Sequence, residues 1–341
     1  MKKSLVALAV LAASGASFAQ SNVTLYGIAD IWLGSLKESQ ITANPDRLTK
    51  LDSGGVSTSR WGIKGSEDLG GGLNAIFTLE SKVGLDTGAS AGFSRESYVG
   101  LEGGFGTVKL GKMWTATDDV MGASNSGFDS ALSATNGVWV ANAVYSVNPG
   151  NSIKYSSPSM GGFSFAATYG LDETENVNND MMDFSVSYAG GPVAANFAYQ
   201  VQKDYTATDD LKIATVNGSY DFGVAKLLAS YAQTKAGDAD VKDYQIGADI
   251  PVSPSLTVSA GYAQSKRNDA AVATPEFTAL VNDSTSGIFA GKKNTGYSVA
   301  ASYSLSKRTS IYGGASYAKG ETAGTDVSKR ELYAVGVRHA F

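Results

Sequence analysis

Apolar and polar positions alternate along most of this chain. In residues 163–170, Phe163, Phe165, Ala167 and Tyr169 share one parity, while Ser164, Ala166, Thr168 and Gly170 share the other. Further on, Met182, Phe184, Val186 and Tyr188 oppose Asp183, Ser185, Ser187 and Ala189, and Val193, Ala195, Phe197, Tyr199 and Val201 oppose Asn196, Ala198, Gln200 and Gln202. The pattern returns in residues 244–250, 256–262 and 297–305, and in a last run where Tyr333, Val335, Val337 and Phe341 oppose Ala334, Gly336, Arg338 and Ala340. Successive side chains of a strand point to opposite faces, so each run makes one apolar and one polar face. Sixteen such runs start near residues 23, 58, 72, 94, 106, 151, 163, 181, 193, 211, 224, 242, 255, 293, 308 and 331. At 211–220 and 224–234 the two faces are mixed.

The connections between runs alternate in length. Short turns at 68–72, 103–104, 190–192 and 251–254 interleave with long segments at 36–56, 113–150, 171–180, 203–210, 265–292 and 320–328. The longest, 113–150, has neither a period of two nor a sustained helical stripe. Loops beyond about 12–15 residues without structure of their own are usually functional or disordered. Trp114, Phe128, Trp139 and Tyr145 speak against disorder, because such aromatics need somewhere to be buried. The expectation is an ordered loop folded into something hollow, presenting Asp118, Asp119 and Asp129.

An all-β chain with many short strands is a soluble sandwich or propeller, or a transmembrane barrel. Here the polar face is small and wet (Ser, Thr, Gly, Asn, Gln). The apolar face is Ala, Val and Phe, with Tyr recurring near run ends, as interfacial aromatic girdles require. Backbone groups in lipid must be paired internally, so a strand-built spanner closes and leaves no edge. An even strand number brings both termini to one end. Residues 1–19 read as a secretory signal: Lys2 and Lys3, an apolar run over 5–13, then Ser17 and Ala19 at the cleavage positions. Its removal takes the formal net charge from −5 to −7, a poor balance for a nucleic-acid partner. The absence of Cys excludes disulfides, thiolate catalysis and thiolate metal sites. No stretch after residue 19 is apolar for long enough to span as a helix.

Five blocks carry a resemblance to a known family: VTLYGIAD (23–30), SRWGIKGSEDLGGGLNAIFTLE (59–80), FSRESYVGLEGGFGTVKLG (93–111), NSIKYSSPSMGGF (151–163) and VGVRHAF (335–341). The chain resembles the trimeric general-diffusion porins of the Gram-negative outer membrane, the beta-proteobacterial group in particular, over essentially all of residues 20–341. The resemblance implies a sixteen-stranded antiparallel transmembrane β-barrel, a homotrimer set among outer-membrane lipids and lipopolysaccharide, and a third external loop, 113–150, folded inward. It implies passive diffusion of small hydrophilic solutes and inorganic ions, with no cofactor. It also implies a constriction whose basic wall falls on Arg60, Lys64 and Arg95, facing Asp118, Asp119 and Asp129 of the loop. Parity independently supports Arg60 and Lys64, which oppose Trp61 and Ile63. Arg95 shares its parity with Val99 and Leu101, so its inward position rests on the resemblance. Related porins often place an arginine shortly before the NSI block, whereas residues 145–150 (YSVNPG) hold none, and an anion preference does not carry over.

Opposite charges across a narrow passage orient solutes and favour one ion sign without any reaction. The near-match to a phosphate-binding loop at 106–113 (GTVKLGKM) has Met113 where a metal-holding hydroxyl belongs. The acidic cluster Asp172, Glu173, Glu175, Asn178, Asn179 and Asp180 is read as a hydrated loop ahead of a divalent-cation site. His339, the sole histidine, lies on the outward face with Phe341 and lacks a catalytic partner, which argues against a barrel hydrolase. A substrate-selective channel would want a line of lumen aromatics, and a closed structural or adhesive barrel bulky inward residues. Neither fits the Ser, Gly and Ala of the polar face.

Overall fold

The computed structural model describes residues 22–40, 46–173, 180–206, 208–273 and 291–341. The expected signal, 1–19, lies outside them, as do Glu175, Asn178 and Asn179 of the acidic cluster. Seventeen strands form one sheet: β1 (Asn22–Gln40), β2 (Leu48–Ser53), β3 (Arg60–Gly70), β4 (Leu73–Lys82), β5 (Glu96–Gly103), β6 (Gly106–Lys112), β7 (Ser152–Ser156), β8 (Phe163–Gly170), β9 (Met181–Gly190), β10 (Val193–Gln202), β11 (Leu211–Asp221), β12 (Lys226–Ala236), β13 (Ala239–Pro251), β14 (Leu256–Arg267), β15 (Lys293–Ser304), β16 (Thr309–Thr322) and β17 (Thr325–Ala340). From β3 to β17 each strand pairs antiparallel with the next. β17 returns to β1 with Ile28 opposite Ala340, and Gly27 and Phe341 exchange backbone hydrogen bonds of 3.1 and 3.0 Å that close the seam. The near-phosphate-loop stretch is simply β6.

The count of sixteen survives because β2 and β3 are two pieces of one stave. β1 pairs with β2 through Ile31–Leu36 and with β3 through Asn22–Ile28. The wall breaks between them, at 54–59. Two of the long loops expected from sequence are therefore absent. Most of 36–56 is the far half of the β1 stave and β2. Residues 320–328 are a hairpin turned by Ala323 and Gly324 alone, at φ 50° and 81°. In the first the leucines fall on both faces, Leu51 outward beside Leu33, and Leu36 inward, and the second is mostly polar, so the cue that separates lipid-facing strand from loop is lost there.

Polarity is inverted relative to a soluble fold. Val23, Leu25, Ile246, Val299 and Val335 are exposed, while Gln200, Thr215, Thr234, Asp243 and Gln245 are buried. An apolar exterior of this extent requires a nonpolar surrounding. Aromatic pairs mark both edges of the band: Phe163 with Tyr188 and Tyr220 with Phe222 toward the termini, Tyr231 with Tyr244 and Tyr262 with Tyr297 toward the far end. His339 meets Thr309 on the outward face, its Nδ1 lying 2.9 Å from the hydroxyl.

The mixed faces of β11 and β12 have a physical reason. Leu211, Ile213, Ala232 and Ala236 point inward and, with Ala239 and Val241 of β13, pack on Val138, Trp139, Val140 and Val144 of the long segment. A lumen wall that receives an apolar object must itself be apolar.

Candidate pore constriction

Segment 113–150 lies within the cylinder, hydrogen-bonded to the inward faces of strands around it. Ala116 N–H donates to Thr168 (2.9 Å), Thr117 N–H to Asp183 (2.7 Å), Gly127 N–H to Ser259 (2.8 Å), Ala141 N–H to Asp243 (2.9 Å) and Ser146 N–H to Gln200 (2.6 Å). Asn217 donates to the Val120 carbonyl at 2.7 Å. The segment forms only two single-turn helices, α1 (Asp118–Met121) and α2 (Ala141–Val144), and a 3-10 turn (Gly127–Asp129). Inward glycines make room for it: a Cβ on Gly261 would stand 1.7 Å from Ser126 Oγ, and one on Gly296 2.1 Å from the Ala134 carbonyl. Phe128 and Asp129 hold left-handed φ of 62° and 48°. That conformation costs a non-glycine residue about 1–2 kcal/mol and is kept only where the surroundings over-determine it.

The break in the wall supports the segment from the opposite side. Buried Asp30 of β1 accepts N–H groups of Gly55 (3.1 Å), Val56 (3.0 Å) and Ser57 (2.7 Å), together with the Tyr312 hydroxyl. A carboxylate that accepts several backbone donors is a strong fixed point. The peptide it holds in turn accepts Ala131 N–H on the Gly55 carbonyl at 2.8 Å.

The expected basic residues divide. Arg60 opens β3, and its Nε lies 3.5 Å from Glu80. Arg95 Nε lies 2.6 Å from the other oxygen of Glu80, and its guanidinium stacks 4.6 Å from the Trp114 ring. Arg95 occupies the bend immediately before β5, so strand alternation does not govern it and its side chain turns inward. Lys64 stands apart. It is four residues down β3, roughly 13 Å along the strand, exposed, with its ammonium 5.1 Å over the Tyr26 ring. Two partners escaped the sequence reading. Glu80 receives both arginines and the Tyr26 hydroxyl (2.9 Å). Arg338 bonds Ser57 at 3.1 Å and acts electrostatically on Arg60, as Arg95 does. Both were signalled by parity, Arg338 opposite Val335 and Val337, Glu80 in phase with Thr78 and Lys82.

The three loop carboxylates lie close enough to act on one another, and each has a local partner. Asp118 accepts the Tyr145 hydroxyl at 2.8 Å, Asp119 pairs with Lys154 at 2.5 Å, and Asp129 accepts Asn125 at 2.7 Å. Burial pushes the Asp118 carboxyl up to about 6, with the charges of Asp119 and Asp129 adding to the rise and Tyr145 and Lys154 opposing it. Burial also raises Asp119, against Lys154, and Asp129, against Asn125. No ion pair joins these carboxylates to the arginines among the described residues. A cavity of about 450 Å³ is lined by Asp129 of the loop and by Thr58 of the wall break, whose carbonyl accepts from Arg60 at 3.4 Å.

Comparison with known proteins agrees with this architecture. The family model for Gram-negative porins matches residues 4–323. Outer membrane porin protein 32 of Delftia acidovorans is 35% identical over 377 aligned residues, across the whole of both chains. The solved anion-selective porin from Comamonas acidovorans is 29% identical with a TM-score of 0.76, covering 94% of this chain and all of that one. The trimer form of OmpT of Vibrio cholerae, at 19% identity, TM-score 0.67 and 94% and 99% coverage, shares the fold. The chain belongs to the Gram-negative porins, non-enzymatic channels of the outer membrane through which small hydrophilic solutes diffuse passively.

Proposed function

We propose that segment 113–150 narrows this porin's channel and that the eyelet favours anions weakly. Its basic wall is Arg60, Arg95 and Arg338 near the carboxylates of Glu80 and Glu96, with Lys64 contributing nearer the terminal end. Asp118, Asp119 and Asp129 form the facing wall. The observation that carries the sign is the imbalance in pairing: Arg60 and Arg95 share one glutamate and Arg338 adds a third charge beside Arg60, whereas Asp119 is compensated by Lys154. The anion-selective porin from Comamonas acidovorans, similar over its full length, is consistent with this. The chain assembles as a homotrimer, as the Vibrio cholerae protein does in its trimer form. It is exported by cleavage after residue 19, and its termini and short turns face the periplasm. Current through the purified protein in a planar bilayer, with unequal salt on the two sides, tests the reading. A reversal potential of the anion-permeable sign is expected; a cation-permeable sign refutes the charge assignment, and a folded barrel without conductance refutes the open eyelet.

A further inference from the structure

Beside the eyelet, toward the terminal end, one stretch of the lumen wall is aromatic and basic together. Tyr26 of β1 and Tyr98 of β5 have inward parity, opposite Leu25 and Val99, which are exposed on the outer face. Each ring carries an ammonium group over it: Lys64 of β3 at 5.1 Å from the Tyr26 centroid, and Lys109 of β6 at 4.3 Å from that of Tyr98. The registers set the two pairs side by side. Lys64 lies opposite Thr78 of β4, and Thr78 opposite Tyr98, so Lys64 and Tyr98 are two interstrand steps apart, roughly 10 Å. Thr78 donates its hydroxyl to that of Tyr98 at 3.0 Å and fixes the ring. Ile76, the next inward residue of β4, lies opposite Gly100, which in turn lies opposite Lys109.

Three properties of this stretch decide what it binds. A ring face is on offer: a Cβ on Gly62 would stand 2.9 Å from Cζ and from the hydroxyl of Tyr26, so that ring lies against the wall over a glycine and turns its other side to the lumen. The ammonium groups are unspent: neither has a carboxylate at ion-pair distance among the described residues, and Glu96 acts on Lys109 from farther away. The surroundings disfavour high negative charge, because Glu80 accepts the Tyr26 hydroxyl at 2.9 Å and Glu96 lies opposite Glu80 on the next strand. The attraction of an ammonium to a ring face is weak where both are wet, so a lysine readily leaves the ring for a carboxylate.

We propose that Tyr26, Lys64, Tyr98 and Lys109 form a lumen subsite for aromatic monocarboxylates of the size of benzoate, a substrate class that rests on the anion-favouring reading above. The ring of the acid stacks on a tyrosine in the offset geometry that aromatic pairs prefer, the lysine moves from the ring face to the carboxylate, and Ile76 adds apolar contact beside Thr78. A multiply charged anion gains from the lysines but faces Glu80 and Glu96. An aliphatic acid brings the charge without the stacking surface. The two pairs, one beside the other, hand the solute along the wall next to the eyelet.

The test follows the potassium chloride conductance of the purified protein in a planar bilayer as sodium benzoate is added, and in parallel sodium cyclohexanecarboxylate, an acid of the same charge and similar size without a π face. Benzoate is expected to depress the conductance saturably, with a half-effect concentration at least about threefold below that of cyclohexanecarboxylate. Y26L/Y98L is expected to bring the two acids to equality, Y26F/Y98F to keep the difference, and K64Q/K109Q to weaken both acids while keeping their order. Y98L alone leaves the hydrogen bonds of Glu80 in place; it is expected to shrink the difference and serves where the double variant does not fold. Equal half-effect concentrations in the wild type overturn the proposal, as does a difference that survives Y26L/Y98L. The anion-favouring reading fails on a separate result, a cation-permeable reversal potential in potassium chloride alone, whereas equal action of the two acids in an anion-favouring pore removes only the aromatic subsite.

Discussion

Replacing Arg95 by Gln and, separately, Glu80 by Gln changes the charge at one point of the eyelet by one unit in opposite directions. For an ion passing about 6 Å away in water, a unit charge is worth roughly 0.7 kcal/mol, which salt at about 0.1 M screens to roughly 0.4 kcal/mol. Anion and cation respond with opposite sign, so the permeability ratio moves by about 0.8 kcal/mol, close to fourfold. Arg95→Gln is expected to lower the anion-to-cation ratio by about that factor, and Glu80→Gln to raise it. The geometry makes the single changes safe. Glu80 is 4% exposed and contacts Arg95, Arg60 and Tyr26, so losing Arg95 leaves it paired, whereas losing both arginines would strand a buried carboxylate. The readout is the reversal potential in a planar bilayer under a tenfold salt gradient. Arg95 also stacks on Trp114 at the base of the loop, so a loop shift could mimic a charge effect. Conductance in symmetric molar salt, where charge is screened, separates the two and is expected to stay at the wild-type value. Shifts of the same sign in both variants, or no shift in either, refute the reasoning.

Acidification has a definite sign. Asp118, raised to about 6, is mostly ionised at pH 7 and becomes neutral as pH falls below 6, so the anion-to-cation ratio is expected to rise between pH 7 and pH 5; the same pH series on Asp118→Asn should rise less. Asp183→Ala removes the acceptor for the N–H groups of Thr117 and Thr168, each costing about 1–3 kcal/mol when left unsatisfied in a buried site, while Ala116 N–H keeps the Thr168 hydroxyl. Larger, noisier single-channel currents from a still heat-modifiable barrel are expected. Gly296→Ala drives a Cβ against the Ala134 carbonyl and should alter conductance, while Gly104→Ala, with nothing within 4 Å of the new atom, should not.

The barrel was legible because period-two alternation survives wherever one face meets lipid and the other meets water. It blurred where a third environment intervened. Ile213 and Ala236 turn apolar side chains into the lumen because the loop covers them, and the two leucines of β2, Leu48 and Leu51, have opposite parity. The loop was legible from length and aromatic content, but its partners were not. Nothing local in the sequence says that Asp30 will meet Gly55, Val56 and Ser57, or that Asp243 will meet Ala141, since those contacts span 25 to 102 residues. Arg95 shows the opposite limit: alternation assigns it outward, and one bend before the strand reverses that.

Charge counting fails in this lumen for a reason that bears on its selectivity. Asp30, Asp183 and Asp243 all lie on inward faces and are at most 5% exposed. Each spends its charge on backbone N–H donors of the loop or of the wall break, so none of them presents a field to a passing ion comparable to that of an exposed group. Asp119 is likewise matched by Lys154. These inward acids are therefore spent on holding the constriction in place. The fold gathers the arginines near Glu80, because the bend at Arg95, the start of β3 at Arg60 and the end of β17 at Arg338 converge from three separate stretches of sequence. A negatively charged protein can in this way carry an eyelet of the opposite sign, and the reversal potential reads the eyelet.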